Sequence, residues 1–301
     1  MWHHGAVPHA SANGVQLAYE TFGDPTDPTI LLIMGLGAQM VSWDDEICHL
    51  FADRGFHVVR FDNRDVGEST WVDTPDLDVP TAFMAALGGD PSHAPYTLSD
   101  MADDAVAVLD HLGVEAAHVV GASMGGMIAQ TLTIEHADRV LSLTSIMSTT
   151  GNPDVGVPDG DLLNALIVER PTDPDAAVTF GIELSRLISS PVHFDEERAR
   201  RRVERELARG INPLAVPRQL LAIFASGSRE DALAGIDVPT LVVHGQMDRL
   251  VAPSGGERTA ELIPGAELVL IDDMAHDLPA VHVESVVDRV VALAQRAVPA
   301  T

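Results

Sequence analysis

Val120-Gly121-Ala122-Ser123-Met124-Gly125-Gly126 closes an apolar, strand-like run, Ala117 to Val120, and opens a helix-like run, Met124 to Glu135. A serine at a strand-to-helix junction, with glycines two positions to either side, is the pattern of a nucleophile elbow. The sharp turn lifts the hydroxyl clear of the sheet, and the glycines let the backbone turn without a Cβ collision. The same Gly-x-Ser-x-Gly pattern also occurs as a plain packing turn, so Ser123 as a nucleophile requires partners elsewhere in the chain.

Two candidates follow in the order nucleophile, acid, histidine. Asp248 comes after the buried-strand run Thr240 to His244, and His276 after a second run, Leu268 to Ile271. Both stand just past strand C-termini, the edge of an open α/β sheet where ligands bind, so all three can converge there. Asp272 and Asp273 compete for the acid, but they share a short loop with His276, whereas Asp248 belongs to a neighbouring strand tip.

A serine hydroxyl is a weak nucleophile until a base within hydrogen-bond reach takes its proton. His276 can take that proton and return it to a leaving alcohol, while Asp248 fixes the imidazole tautomer and stabilises the imidazolium. The tetrahedral oxyanion needs backbone donors. Met124 N–H offers one at the start of the elbow helix, where the helix dipole favours negative charge. The loop Met34-Gly35-Leu36-Gly37 offers the other, with Leu36 N–H the expected donor and Gly37 N–H the alternative; the loop also reads as a plain glycine turn.

The rest of the chain alternates strands and helices, which predicts a mostly parallel sheet covered on both faces. Val15 to Phe22 reads as an edge strand, Thr29 to Met34 as a buried strand, Trp43 to Arg54 as a helix, Val58 to Phe61 as a strand and Leu98 to Leu112 as a helix. The connection Trp71 to Pro95 is longer than ordinary and reads as a functional loop or partial lid. After the strand Val140 to Ile146, strand character disappears until Thr240. Helix-like stretches replace it at Asp161 to Glu169, Asp175 to Ile188, Asp195 to Arg209 and Leu214 to Ser226. The expected division is a core of residues 1–147 and 231–301 with an inserted helical cap over 148–230. Ser254 to Leu262 and Val281 to Arg296 read as the last two helices.

The 45 acidic residues face only 18 basic ones, all arginine, for a net charge of -27. A field of that sign repels polyanions, so nucleic acid is excluded as a partner and neutral esters suit the chain better than acyl phosphates or nucleotides. The charge itself fits either an acidic, lysine-poor proteome or adaptation to high salt. No apolar stretch approaches the ~20 residues that span a bilayer. Met1-Trp2-His3-His4-Gly5 has neither the basic region nor the apolar core of a secretory signal, which makes the cytoplasm the expected location.

The single cysteine, Cys48, lies among Trp43, Ile47 and Phe51 and reads as a packed thiol. The thirteen histidines are scattered, with His3, His4 and His9 at an N-terminus expected to be mobile, so no metal site is expected. Met34, Met40, Met84, Met124, Met127, Met147 and Met274 fall largely in or beside the loops that surround Ser123. They read either as core filling or as an adaptable apolar pocket, with Met34, Gly35, Gly37 and Met147 its expected lining. The run Glu196 to Glu206 interleaves charges of both signs and reads as a solvated helix face laced with ion pairs rather than a polyanion site. Asp62-Asn63-Arg64-Asp65-Val66-Gly67-Glu68-Ser69 reads as a hydrogen-bonded turn that anchors the loops.

With oxyanion loop, Asp-x-Arg turn, elbow, helical insertion, acid and histidine in order, the chain resembles the α/β-hydrolases over nearly its whole length. Met34-Gly35-Leu36-Gly37, Phe61 to Ser69 and Val120 to Gly126 are more particularly similar to the aclacinomycin methylesterase-like hydrolases and related actinobacterial lipase/esterases. Members of that group hydrolyse carboxylic esters. The resemblance implies an α/β-hydrolase fold and a cofactor-free serine esterase with Ser123, His276 and Asp248 as its triad. Its expected substrates are small to medium neutral esters, aromatic ones included. The same apparatus also serves lactone hydrolysis, perhydrolysis and C–C bond cleavage, and a non-catalytic ligand sensor could keep the fold. Two departures stand out: many relatives have His-Gly where this chain has Met34-Gly35, and Arg-Gly where it has Arg64-Asp65. A small-molecule substrate is the expected partner, and a monomer or homodimer the expected assembly.

The acidic surface predicts a fold that persists in molar salt. Loss of the far-ultraviolet circular dichroism signal on adding molar sodium chloride would dispose of salt adaptation as the origin of the charge.

Overall fold

The computed structural model describes residues 7–12, 14–160, 162–166, 168 and 171–297. The stretch Met1 to Gly5 and part of the stretch read as Asp161 to Glu169 lie outside them. Eight strands form one sheet: β1 (His9–Ala12), β2 (Val15–Phe22), β3 (Thr29–Ile33), β4 (His57–Phe61), β5 (Ala117–Ala122), β6 (Val140–Ile146), β7 (Thr240–Gly245) and β8 (Glu267–Ile271). Their order across the sheet is β1-β2-β4-β3-β5-β6-β7-β8, antiparallel through β4 and parallel from there on.

The described helices are α1 (Asp45–Ala52), α2 (Val79–Leu87), α3 (Leu98–Leu112), α4 (Met124–Glu135), α5 (Leu162–Leu166), α6 (Pro174–Ile188), α7 (Glu196–Arg209), α8 (Ala215–Ser226), α9 (Glu230–Leu233), α10 (Ser254–Leu262) and α11 (Ala280–Ala297). Between β6 and β7 every described regular element is helical.

Strand periodicity explains why the sheet is covered on both sides. Successive side chains point to opposite faces, so Leu31 and Ile33 of β3 join one core with α3 and α4, while Ile30 and Leu32 join the other with α1 and α11. At roughly 25 cal/mol per Å² of apolar surface removed from water, these two layers supply the main driving force for folding. Helix α3 starts with a capping box between Thr97 and Asp100 and ends at Gly113 in the left-handed region, which bounds it sharply.

The strand order reverses direction at β3, whose neighbours are β4 on one side and β5 on the other. The connections leaving β3 and β5 therefore diverge to opposite faces and open a crevice at their C-terminal ends. Residues 34–37 and Ser123 stand at that crevice.

Several expectations need correction. Val15 to Phe22 is not an edge, because β1 pairs outside it from His9↔Ala18 to Ala12↔Val15. His9 accordingly lies in a strand, with Nε2 3.0 Å from the Glu68 carbonyl. The connection 71–95 is not a bare loop: Asp78 caps α2, with Pro80 in its first turn, and its Ala82 and Ala86 pack with Leu221 of α8. Nor is the run 196–206 only a solvated face. Arg200 and Arg201 pair with Glu196 and Glu197 along α7, but Arg198 and Arg205 reach across to Asp44 and Asp45. Cys48 is fully buried, and burial pushes its thiol up to about 12, so it is no thiolate at neutral pH.

His118 of β5 is also buried, with Nδ1 2.9 Å from Ser142 Oγ, and burial pushes its imidazole down to about 4 from an ordinary 6.5. The unfolded chain takes up a proton below about 6.5 that the folded chain refuses until about 4. The stabilisation by neutral His118 is therefore complete above 6.5 and is lost as pH falls toward 4, by about 3 kcal/mol in all. We expect the denaturation midpoint of the wild type to fall more steeply between pH 7 and pH 4.5 than that of His118→Asn. Equal slopes would show that His118 is not the group responsible.

Candidate active site

Ser123 caps α4 with φ 56° and ψ -122°, a backbone conformation that an L side chain rarely adopts. The conformation is held from both sides: Ser123 N–H donates to the Ile146 carbonyl at 2.8 Å, and the Ser123 carbonyl accepts from Gly126 N–H at 2.9 Å and Met127 N–H at 3.2 Å. The flanking glycines are required by close approach. A Cβ on Gly121 would overlap the Gly125 carbonyl, and one on Gly125 would overlap the Ile33 carbonyl at the end of β3. The result is a serine held out over the crevice.

The loop after β8 brings His276 to it. His276 Nε2 lies 2.9 Å from Ser123 Oγ, and His276 Nδ1 lies 2.7 Å from Asp248 Oδ2. Asp248, buried beyond β7, also accepts Leu250 N–H and Val251 N–H at Oδ1, both at 2.9 Å, and lies 3.4 Å from His244 Nε2. Burial alone would raise its carboxyl. The charge of His276 and hydrogen bonds from His244 and His276 outweigh burial and hold it well below the usual carboxylate range. An ionised Asp248 only accepts, so Nδ1 of His276 carries the hydrogen and Nε2 presents its lone pair to the serine hydroxyl. The structure thus brings the three sequence candidates into one hydrogen-bonded chain.

The competing acids do not reach it. Asp273 instead accepts from His193 Nε2 at 2.6 Å and His282 Nε2 at 2.7 Å. Asp272 is exposed.

Among the described residues, Leu36 N–H and Met124 N–H donate to no protein acceptor. Gly37 N–H, the alternative, is committed to Gln219 Oε1 at 2.7 Å. Gln219 is fully buried and also donates from Nε2 to the Arg64 carbonyl at 3.0 Å, which ties the loop after β3 to the turn after β4. Asn63 Nδ2 adds a bond to the Met34 carbonyl at 2.8 Å, which anchors the loop without a histidine at position 34.

The turn after β4 is built around two fully buried carboxylates. Asp62 accepts from Met40 N–H at 2.7 Å, Glu68 N–H at 3.0 Å and the Arg209 guanidinium. Asp65 takes φ 74°, a backbone conformation that favours glycine, and its carboxylate accepts from Tyr96 Oη at 2.6 Å, Val72 N–H at 2.7 Å and Arg218 Nη1 at 3.0 Å. Left-handed backbone costs a non-glycine residue roughly 1–2 kcal/mol. These charge-assisted bonds offset it.

A cavity of about 950 Å³ opens over the serine, lined by Met34, Leu36, Met127, Met147, Leu220 and Phe224 among others. Of the expected pocket residues, Met34, Gly35, Gly37 and Met147 all line it, as do the methionines 124 and 127. Met40 and Met274 are instead fully buried in the core, and Met84 is exposed. Charged groups at its wall have protein partners: Arg198 pairs with Asp44, Glu206 accepts from Ser42 Oγ at 2.6 Å, and Arg202 donates to Ser185 Oγ at 2.6 Å.

Sequence reasoning did not find His244, Gln219, Arg209 or Arg218. His244 had one signal, its position at the strand end four residues before Asp248. The others lie far along the chain from what they hold.

The family model described as alpha/beta hydrolase fold matches residues 28–283. Over 295 aligned residues, 89% of this chain and 91% of the relative, the sequence is 35% identical to the rhodomycin D methylesterase of Streptomyces sp. (strain C5). It is 27% identical over 292 residues, 91% of this chain and 94% of the other, to the bifunctional esterase/perhydrolase of Acinetobacter calcoaceticus. The crystal structure of the enol-lactonase from Burkholderia xenovorans LB400 shares the fold with a TM-score of 0.75, 22% identity and coverage of 96% of this chain and 100% of that one.

Replacing Gln219 with leucine would leave Gly37 N–H and the Arg64 carbonyl without their partner, at about 1–3 kcal/mol for each buried group. Gln219→Leu is expected to lower the urea midpoint accordingly. An unchanged midpoint would mean that the loop is held by other contacts.

Proposed function

The chain belongs to the alpha/beta hydrolase fold family, and on that premise we propose that it hydrolyses carboxylic esters, in particular neutral methyl esters with a bulky apolar acyl part. The observation that carries this reading is the chain of hydrogen bonds from Ser123 Oγ through His276 to the buried Asp248, at the floor of an apolar cavity.

In this reading Ser123 Oγ attacks the ester carbonyl while His276 Nε2 takes its proton. The carbonyl oxygen becomes an oxyanion that accepts from Leu36 N–H and Met124 N–H, a stabilisation of roughly 3 kcal/mol for each donor. Collapse breaks the bond to the alkoxy oxygen, and His276 returns the proton to it, releasing an alcohol and leaving an acyl-serine. A water molecule then attacks the acyl carbon, giving its proton to His276. The second collapse regenerates Ser123 and frees the carboxylic acid. Asp248 compensates the imidazolium at both stages without exchanging a proton.

The acyl preference rests on the cavity, whose volume suits a drug-sized molecule and whose lining around the serine is mostly apolar, with Met34, Leu36, Met127, Met147, Leu220 and Phe224, so an uncharged, apolar acyl part fits it best. Methanol as leaving group is supported by the name methylesterase that the 35% identical relative carries. The same reading takes residues 148–230 as a cap over a core of 1–147 and 231–301, supported by the helices between β6 and β7 and by the contacts of Gln219, Arg209 and Arg218 with the core. Among the described residues no helix is long and apolar enough to cross a membrane. We place the protein in the cytoplasm, as a monomer or homodimer acting on a small molecule.

The test is turnover of p-nitrophenyl esters and of methyl esters of polycyclic aromatic acids, with intact-mass detection of a fluorophosphonate adduct. Wild type is expected to turn over both and to gain one adduct, and Ser123→Ala to lose both signals. Asp248→Asn, with the imidazole tautomer reversed, is expected to lose about 10⁴-fold in kcat. Full labelling without ester turnover would overturn the ester reading while keeping the nucleophile, and turnover retained by Ser123→Ala would remove the nucleophile.

A further inference from the structure

Asp273 was a rival for the acid beside His276, and the structure gives its carboxylate a different setting. Its two oxygens face two imidazoles: Oδ2 lies 2.6 Å from His193 Nε2, and Oδ1 lies 2.7 Å from His282 Nε2. The two rings meet edge to face with centroids 5.6 Å apart. The three side chains come from separate places in the fold. His193 lies in the connection between α6 and α7, Asp273 in the loop that carries His276, and His282 in the first turn of α11. Their ligand atoms all fall within 4.8 Å of one another.

We propose that His193, Asp273 and His282 form a binding site for one divalent transition-metal ion of the Zn²⁺ class. Two imidazole nitrogens and one carboxylate oxygen make a borderline donor set, suited to Zn²⁺, Co²⁺, Ni²⁺ and Cu²⁺ and poorly suited to Mg²⁺ or Ca²⁺, which prefer oxygen throughout. A tetrahedral ion with bonds of about 2.0–2.2 Å needs its donors roughly 3.4 Å apart. Both nitrogen-to-oxygen pairs are already inside that spacing, and side-chain rotation opens them while drawing the two nitrogens together. The three side chains remain 21–38% exposed, so water reaches the fourth position.

The geometry also states what such an ion does. The connection bearing His193 already meets the His276 loop through neighbouring bonds: Ser190 Oγ donates to the Asp273 carbonyl at 2.6 Å, Ser190 N–H to Asp277 Oδ1 at 2.9 Å, and His276 N–H to the Ile188 carbonyl at 3.0 Å. An ion at His193, Asp273 and His282 adds coordinate bonds across the same seam and clasps the helical segment to the loop that holds His276. Ion binding therefore raises thermal stability. The proposal is independent of the ester reading, because its readouts are binding and stability rather than turnover.

The experiment uses the full chain in a His3→Ala/His4→Ala background, which removes the adjacent histidine pair as a competing ligand. After chelator treatment, Zn²⁺ is titrated by calorimetry and Co²⁺ by visible absorption, with Mg²⁺ as comparison and thermal midpoints recorded with and without Zn²⁺. One equivalent of Zn²⁺, a tetrahedral Co²⁺ spectrum, no response to Mg²⁺ and a raised midpoint are expected. His193→Gln and His282→Gln keep an N–H that can donate to Asp273 but remove the ligand nitrogen. Each is expected to stay folded by circular dichroism and to weaken Zn²⁺ binding at least tenfold. Absence of Zn²⁺ binding by the parent chain, or equal binding by the parent and both glutamine variants, would overturn the proposal.

Discussion

Three backbones meet at the elbow with no room for a side chain between them. The end of β5, the start of α4 and the end of β3 approach so closely that a Cβ on Gly121 or Gly125 would collide with a carbonyl. That contact fixes where Ser123 stands relative to the loop carrying Leu36, since β3 and β5 are hydrogen-bonded neighbours. It also sustains the unusual backbone of Ser123, a conformation that costs of order 1–3 kcal/mol and persists only where the surroundings over-determine it. Helix α4 is buried from Met124 to Thr133, so it presents no solvent face over that length and is packed against the turn.

A second constraint joins the helical segment to the sheet. Asp62 and Asp65 are fully buried at the end of β4, and the cations that meet them, Arg209 and Arg218, come from the end of α7 and from α8. Removing one partner from a buried pair leaves an uncompensated charge, at about 3–5 kcal/mol. The pairs are therefore poor evidence of net stability and good evidence of position: the helices can dock in only one register without stranding a carboxylate. Gln219, on the same helix as Arg218, then falls beside Gly37 and engages its N–H, whereas Leu36 N–H donates to no protein acceptor among the described residues. Which backbone N–H of the loop after β3 is engaged thus depends on helices that buried charge pairs hold in place.

The chain's large negative charge and its nearly balanced interior are compatible for the same reason. Exposed carboxylates are solvated and screened, whereas most of the buried ones are met by arginine or histidine: Arg64 with Asp104, Arg209 with Asp62, Arg218 with Asp65, His276 with Asp248. Most arginines stay at the surface, where they pair with exposed carboxylates, and among the described residues only Arg60, Arg64, Arg218 and Arg229 are buried.

Sequence by itself determined the local features. Apolar runs of strand length gave β3, β5, β6 and β7, the elbow pattern singled out Ser123, and positions just past strand ends marked Asp248, ahead of Asp272 and Asp273, and His276 as the residues that meet it. Each rests on a period or turn chemistry readable within a few residues. Only tertiary structure decided the rest. The four-residue β1 is too short to show a period and exists because β2 offers it an edge, and α2 is held by its packing on α8. That Gly37 N–H is committed while Leu36 N–H is free depends on Gln219, 182 residues further on. His193 and Asp273 are likewise 80 residues apart in the chain. Pairings at such separation leave no pattern in the sequence, because what selects them is the burial of polar groups that must find partners once the layers close.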